Sequence, residues 1–396
     1  MSDGRLPRVA VMLDLASAYG RSEAIGVAQY VASHHPWRVE LSVANTSARS
    51  IQQLDADGLI LPVTSERQRD AVLKLGIPTV SIAGNLQNTG FPVVTVDHEA
   101  IGRMAAEFFL QRGFERMAFC GISDRYYSPR RGRGFQLTLE NAGIQCFMHE
   151  NLAPTAHQTR PSGQKPDLAQ WLLSLPKPCG MFVCDDLQAV ELLEAARRVG
   201  VRVPEDMAVL SVDNDELSCN LSDPPLSSID HGTQQIGYQA GNLLDRMLRG
   251  ETVPLEPVVV PPTAIVLRRS TDTYPNSDTH INLALAFMQR NITRRVQVDE
   301  IVEASGVSRR VLENAFRKVI HRSILDEYHR LQTQAITHLL RNTTLPLKQI
   351  ARQMGFSSVY YFSAFFKRSI GVPPGQYRKK SRMSADSVSD QVTPYK

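Results

Sequence analysis

One pattern of residues occurs twice near the C-terminus, and it limits what that part of the chain can become. In the run Leu347 to Arg378, LKQIARQMGFSSVYYFSAFFKRSIGVPPGQYR, the apolar side chains Leu347, Ile350, Ala351 and Met354 share one helix face, and Gly355 supplies the turn that ends the helix. A second helix follows. Ser357 or Ser358 can cap it, Tyr361, Phe362, Phe365 and Phe366 form its apolar side, and Tyr360, Lys367 and Arg368 are left for solvent or a ligand. Upstream, Val298, Ile301, Val302 and Gly306 match Leu347, Ile350, Ala351 and Gly355 at a constant offset. Beyond the turn, Leu312, Phe316, Arg317 and Lys318 match Phe362, Phe366, Lys367 and Arg368 after one inserted residue.

Taken singly, such a segment is two packed helices; repeated, with a basic exposed face, it has the layout of a double helix-turn-helix DNA reader. Between the copies, Ser323 to Leu340 reads as an amphipathic helix with Ile324, Tyr328, Leu331, Ala335 and Leu339 on a stripe. At ~1.5 Å per residue it spans roughly 25 Å. That is long enough to set two reading helices about one DNA turn, ~34 Å, apart. Charge agrees with this. The segment Thr279 to Lys380 carries 17 Lys+Arg against 6 Asp+Glu, a balance of +11, whereas the remaining residues balance at −7. A basic module joined to an acidic one suits phosphate contact by one part only.

The preceding residues have another rhythm. Short apolar runs, RVAVMLDL, WRVELSVA, GLILPV, PTVSIAG and PVVTVDH, alternate with helical patterns at Ser22 to Ser33, Glu66 to Leu75 and Ala100 to Arg112. After Arg112 the alternation restarts through ERMAFCGI, IQCFMH, GMFVCDD and MAVLSVDN, with helices at Arg130 to Asn141, Leu168 to Ser174 and Leu187 to Val199. Strand-helix alternation implies parallel sheets covered on both faces, and the restart implies two α/β lobes with a ligand cleft at the carboxyl ends of their strands. The expected division is an α/β domain over 1–271, a polar linker over 272–278, an all-α domain over 279–382 and a polar, unpatterned tail over 383–396. The five cysteines, Cys120, Cys146, Cys179, Cys184 and Cys219, lack CxxC pairing and read as buried thiols of a reducing cytoplasm. The N-terminal apolar run is too short for a signal peptide, and no run approaches the ~18 apolar residues of a membrane span.

The C-terminal run, with its repeat, resembles the AraC family of transcription regulators over about a hundred residues. The segments DPPLSSIDHGTQQIGYQAGNLLDRMLRG, VVVPPTAIVLRRS, RRGRGFQLTLENAGI and RVPEDMAVLSVDNDEL resemble the sugar-binding core of the LacI family, related to periplasmic binding proteins. In that family a PPLSSI-like strand and the next helix return to the first lobe. The resemblance implies a two-lobed core followed by two helix-turn-helix motifs. This order, together with the runs AYGRSEAIGVAQY, VDNDEL and PPLSSI, is similar to the family of xylose operon regulators of enteric bacteria. It implies a dimeric activator acting on double-stranded DNA and RNA polymerase, with a monosaccharide, D-xylose foremost, as inducer.

A sugar is gripped by carboxylate, amide and guanidinium groups with an aromatic wall, and strand ends are where to look. Arg131, in the Arg-x-x-Gly-Phe run to Phe135, matches the LacI-family arginine that bonds sugar hydroxyls; otherwise it is one surface arginine in a basic run. Asp213 and Asn214 close the strand MAVLSVDN, where that family places an acid on the sugar, although Asp and Asn are also turn residues. Asp185 is a ligand contact or a helix N-cap. Tyr19 and Arg21 follow the first strand and can offer an aromatic wall and a donor, or a solvated loop. On the DNA side, aligned AraC-family positions that face bases are Arg309, Arg310, Glu313 and Asn314 in the first reader and Val359, Tyr360, Ser363 and Ala364 in the second, with Ser308 and Ser358 at the helix starts. Arg317, Lys367 and Arg368 are placed for phosphates.

Catalysis finds little support. Asp185 and Asp186 lack a nucleophile or metal cluster beside them, and His34-His35, expected in a turn before Pro36, lacks further ligands at a recognisable spacing, so no enzyme activity, cofactor or metal is expected. The alternative function is a sugar-binding or sugar-processing protein whose C-terminal helices make protein contacts.

Overall fold

The computed structural model describes residues 6–34, 37–42, 47–86, 88–151, 167–273, 275, 279–343 and 345–383. His35 and Pro36, most of the polar linker and the tail beyond Met383 lie outside the described residues.

The first lobe opens with β1 (Arg8–Met12), α1 (Ala18–His34), β2 (Arg38–Ser42), α2 (Ala48–Gln52), β3 (Gly58–Leu61), α3 (Glu66–Leu75), β4 (Thr79–Ser81) and β5 (Val94–Val96). Its sheet runs β2-β1-β3-β4, all parallel, with Val9 opposite Val39 and Gly58, and Leu59 opposite Thr79. The central strands β1 and β3 are apolar on both faces because helices cover both, which is why they read as continuous Val/Leu/Ile runs.

The second lobe contains α4 (His98–Gln111), β6 (Met117–Ile122), α5 (Tyr127–Asn141), β7 (Cys146–Asn151), α6 (Leu168–Ser174), β8 (Cys179–Val183), α7 (Asp186–Arg198), β9 (Met207–Val212), α8 (Glu216–Leu221) and β10 (Ser227–Asp230). The chain then forms α9 (Thr233–Leu248), β11 (Val258–Val260) and β12 (Ala264–Val266). The second sheet runs β12-β10-β9-β8-β6-β7, with only β12 antiparallel to its neighbour.

The chain passes between lobes three times: from β5 into α4, from β10 into α9, and from β11, which pairs with β5, into β12. Two expectations change here. Helix α4 belongs to the second lobe, where Gly180 lies directly under Phe109, so the crossing precedes the sequence restart at Arg112. The PPLSSI strand does not return to the first lobe; as β10 it pairs with β9, and only α9 goes back, because its glycines let it dock on α1. A Cβ on Gly26 would meet the Gln234 carbonyl oxygen at 1.9 Å, and one on Gly237 would meet the Glu23 carbonyl oxygen at 2.0 Å, so the two helices meet backbone to backbone. The short α2 and α8 have no counterpart among the expected elements.

The C-terminal module is α10 (Thr279–Arg290), α11 (Val298–Ser305), α12 (Arg309–Val319), α13 (Ile324–Asn342), α14 (Leu347–Gln353), α15 (Val359–Ile370) and α16 (Pro374–Met383). It has two cores with one helix in common. Ile324, Tyr328 and Leu331 of α13 pack with Leu312 and Phe316, while Ile336 and Leu340 pack with Phe362 and Phe366. Gly306 and Gly355 end α11 and the α14 turn with φ of 72° and 75°, left-handed values that glycine adopts without strain. Tyr361 departs from expectation: it is 63 % exposed, and the apolar side of α15 is Phe362, Phe365 and Phe366. None of the five cysteines forms a disulfide; four are buried and Cys146 is only half-buried.

Candidate functional site

The loops at the carboxyl ends of the parallel strands converge on Arg131. This side chain, on α5 just after β6, is 2 % exposed although its charge would ordinarily keep it in water. One guanidinium nitrogen donates to the Cys184 carbonyl oxygen and lies 3.5 Å from Asp213 Oδ1, and the group stacks 4.7 Å from the Tyr127 ring. Its Nε has no hydrogen-bond partner among the described residues.

Asp213 follows β9 with φ of 114°, and Asn214 has φ of 51°; both are strained values for residues with a Cβ. Backbone bonds from Asp213 N–H to Ile229 O and from Asn214 N–H to Ser228 Oγ hold that geometry. The strain separates the two side chains. Asp213 meets Arg131 and, at 3.1 Å, His231 Nε2, whereas Asn214 accepts a hydrogen bond from Arg268 on the other side. Asp185 occupies both its oxygens: Oδ1 caps α7 through the Gln188 N–H, and Oδ2 accepts from the Tyr127 hydroxyl, both at 2.8 Å. Of the two roles expected for it, the structure shows the cap; its other oxygen holds Tyr127. Asp186 points away from the cluster into a buried set of hydroxyls, Ser211 and Ser228, and burial pushes its carboxyl up.

Tyr19 closes one wall edge-on to His231, with ring centroids 5.1 Å apart, and burial pushes its hydroxyl up. Arg21 is not brought to this cluster; its exposed guanidinium bonds the carbonyl oxygens of Leu15 and Ala16. Four residues of the same neighbourhood were not foreseen: His98, Tyr126, Tyr127 and His231. Each lies just past a strand's carboxyl end, the rule that selected Tyr19, so position could have nominated them, though not their meeting with Arg131. The His98 ring is 5.4 Å from Tyr126, and burial, then the charges of Arg131, His231 and Arg130, lower its pKa to about 2. The arrangement offers donors, acceptors and three aromatic rings without a nucleophile aligned on a base, which is the chemistry of binding. Among the described residues no group of three His, Cys, Asp or Glu could hold a metal.

In the helical module, Ser308 and Ser358 precede α12 and α15, and the Ser358 hydroxyl accepts from the Tyr361 N–H. Arg309, Arg310, Asn314 and Arg317 are exposed on α12, with Glu313 half-buried. Arg309 is held by Glu313 at 2.9 Å and Asp299 at 3.3 Å, so Arg310 is the less engaged of the two arginines. On α15, Tyr360, Ala364, Lys367 and Arg368 are exposed and Val359 and Ser363 half-buried.

Comparison with known proteins agrees with both halves. Residues 106–271 match the periplasmic binding protein-like domain family, and residues 301–380 match a helix-turn-helix domain family. The chain therefore joins a periplasmic-binding-protein-like α/β core to a helix-turn-helix module, the build of a ligand-responsive transcription regulator. Over nearly its whole length it is similar to the xylose operon regulatory proteins of Haemophilus influenzae, 28 % identical over 94 % of this chain and 98 % of that one, and of Escherichia coli K12, 29 % identical over 94 % and 96 %. A solved structure described as the xylose-binding transcription activator xylR superposes with a TM-score of 0.61 at 26 % identity, covering 96 % of this chain and 99 % of that one. These relatives are regulators, which disfavours the alternative in which the C-terminal helices serve only protein contacts.

Proposed function

We propose that this protein is a cytoplasmic, sugar-responsive activator whose cleft takes a pentose, D-xylose foremost, and whose double helix-turn-helix module engages promoter DNA. The observation that carries the reading is the union, in one chain, of a polar, aromatic-walled cleft around Arg131 and Asp213 with two helix-turn-helix units. Tyr19, Arg131 and Asp213 contact the sugar, with Asp185 orienting Tyr127. Arg310 and Asn314 of α12 and Tyr360 of α15 meet bases, and Arg317, Lys367 and Arg368 meet phosphates. The functional division runs 1–271 for ligand, 272–278 as linker and 279–382 for DNA. Two chains pair through the core, and RNA polymerase is the downstream partner. No helix among the described residues is long and apolar enough to cross a membrane.

Ligand can act only through a difference in affinity between two lobe arrangements. The structure offers a route to the DNA module: Asp272, nine-tenths buried, accepts a hydrogen bond from Gln289 of α10. Gel shifts on promoter DNA beside the gene, with and without D-xylose, D-ribose, L-arabinose and D-glucose, test the reading. Retention should fall steeply with salt and change with one sugar. Salt-insensitive retention would remove the DNA half, and indifference to all sugars at micromolar protein would remove the inducer half. Arg310→Ala should relax sequence preference, since a bidentate arginine contributes ~1–3 kcal/mol of base discrimination.

A further inference from the structure

Glu23 lies four residues beyond Tyr19 on α1, so the two side chains share one helix face. It is 3 % exposed, and its Oε1 has no hydrogen-bond partner among the described residues. Burial chiefly, and Glu23 after it, push the Tyr19 and Tyr126 hydroxyls up, so Glu23 stands beside these two walls of the cleft. A carboxyl buried without a partner is destabilising, and its helix neighbours at the α9 contact, Gly26 and Val27, are apolar, so packing alone does not call for an acid. Burial pushes the Glu23 carboxyl well above the usual range, toward the protonated form that is both donor and acceptor.

His98 repeats this from the other lobe. It heads α4, is 4 % exposed, and neither ring nitrogen has a partner among the described residues. As a neutral imidazole it too presents one donor and one acceptor. Around them the fixed charges leave no surplus for an anion: Arg131 faces Asp213, Asp185 stands beside Tyr127, and Arg130 is exposed and donates to the Gly84 carbonyl.

We propose that Glu23 and His98 each bind a hydroxyl of the cleft's ligand, one from each lobe, and that they make the cleft selective for a neutral sugar over the corresponding sugar acid. This rests on the sugar-binding reading above. A ligand bonded to both would favour the arrangement in which the lobes are together, because each residue comes from a different lobe.

Titration calorimetry on the full chain with D-xylose, D-ribose, L-arabinose, D-glucose and D-xylonate tests it. The expected result is binding of at least one neutral sugar, at least tenfold tighter than D-xylonate. E23L and H98F should each weaken that sugar at least tenfold with Tm unchanged or raised, and E23Q should restore most of the affinity because its amide is also a neutral donor and acceptor. Wild-type affinity in E23L or H98F overturns the assignment of that residue while leaving the sugar reading intact. Should E23L not fold, E23Q decides in its place against E23A. Preference for D-xylonate overturns the selectivity, and a wild type that binds none of the five overturns both this inference and the reading under it.

Discussion

At the scale of single residues, the cleft depends on which way a side chain leaves its strand. Asp213 and Asn214 are adjacent and equally able to bond a sugar, yet the positive φ values at both turn Asp213 to Arg131 and His231 and Asn214 to Arg268. Asp213→Ala should therefore weaken sugar binding by about 10–100-fold, the loss of a hydrogen bond to a charged group at ~1.5–3 kcal/mol. Arg21→Ala should leave affinity within about twofold, since substitutions away from such contacts are worth about ±0.5 kcal/mol. Calorimetry on the two variants decides; equal losses would mean that Arg21 reaches the ligand. Arg131 and Asp213 could be named from the sequence through family resemblance. The direction of Asp213 could not, because it is set by bonds from Asp213 and Asn214 to Ile229 and Ser228 of β10.

At the scale of elements, helical periodicity found α3 and α6 with their observed bounds and found both helix-turn-helix pairs, because one apolar stripe per helix is local information. It put Tyr361 on the apolar side of α15, whereas the helix buries Phe362, Phe365 and Phe366 and leaves both tyrosines in solvent. Hydrophobicity alone does not say where the stripe's edge falls; the position of α13 does. Phe362→Ala should cost about 3–5 kcal/mol of module stability, as for a fully buried aromatic. Tyr361→Ala should change it by about 0.5 kcal/mol or less. Urea melts compare them, and a large loss in Tyr361→Ala would place that ring in the core after all. Tyr360→Ala, in contrast, should act on DNA retention without moving the melt.

At the scale of the whole molecule, the joint between ligand core and DNA module carries a buried acid. Burial raises the Asp272 carboxyl to about 7, against which Arg112 and the Gln289 hydrogen bond act only partly. The folded chain thus keeps a proton that the unfolded chain, with a carboxyl near ~3.9, has already lost. Stability contributed here is present at low pH, falls as pH rises from about 4 to about 7 and levels off above. Asp272→Asn should melt with wild type near pH 4 and above it by about 2–4 °C at pH 8, the shift that ~1 kcal/mol produces in a domain of about 150–250 residues. Parallel pH profiles in calorimetric scans would refute this. The sequence by itself determined the repeat, the two-lobed α/β class, the basic module and the family likeness, because these are written in local periodicity, spacing and charge. Only the tertiary structure decided that α4 belongs to the second lobe and β10 stays there, that Tyr126, Tyr127, His98 and His231 join Arg131, and that Glu23 is buried without a partner. Those facts depend on three passages of the chain between lobes and on a backbone-to-backbone helix contact, which bring together residues as far apart as Tyr19 and His231.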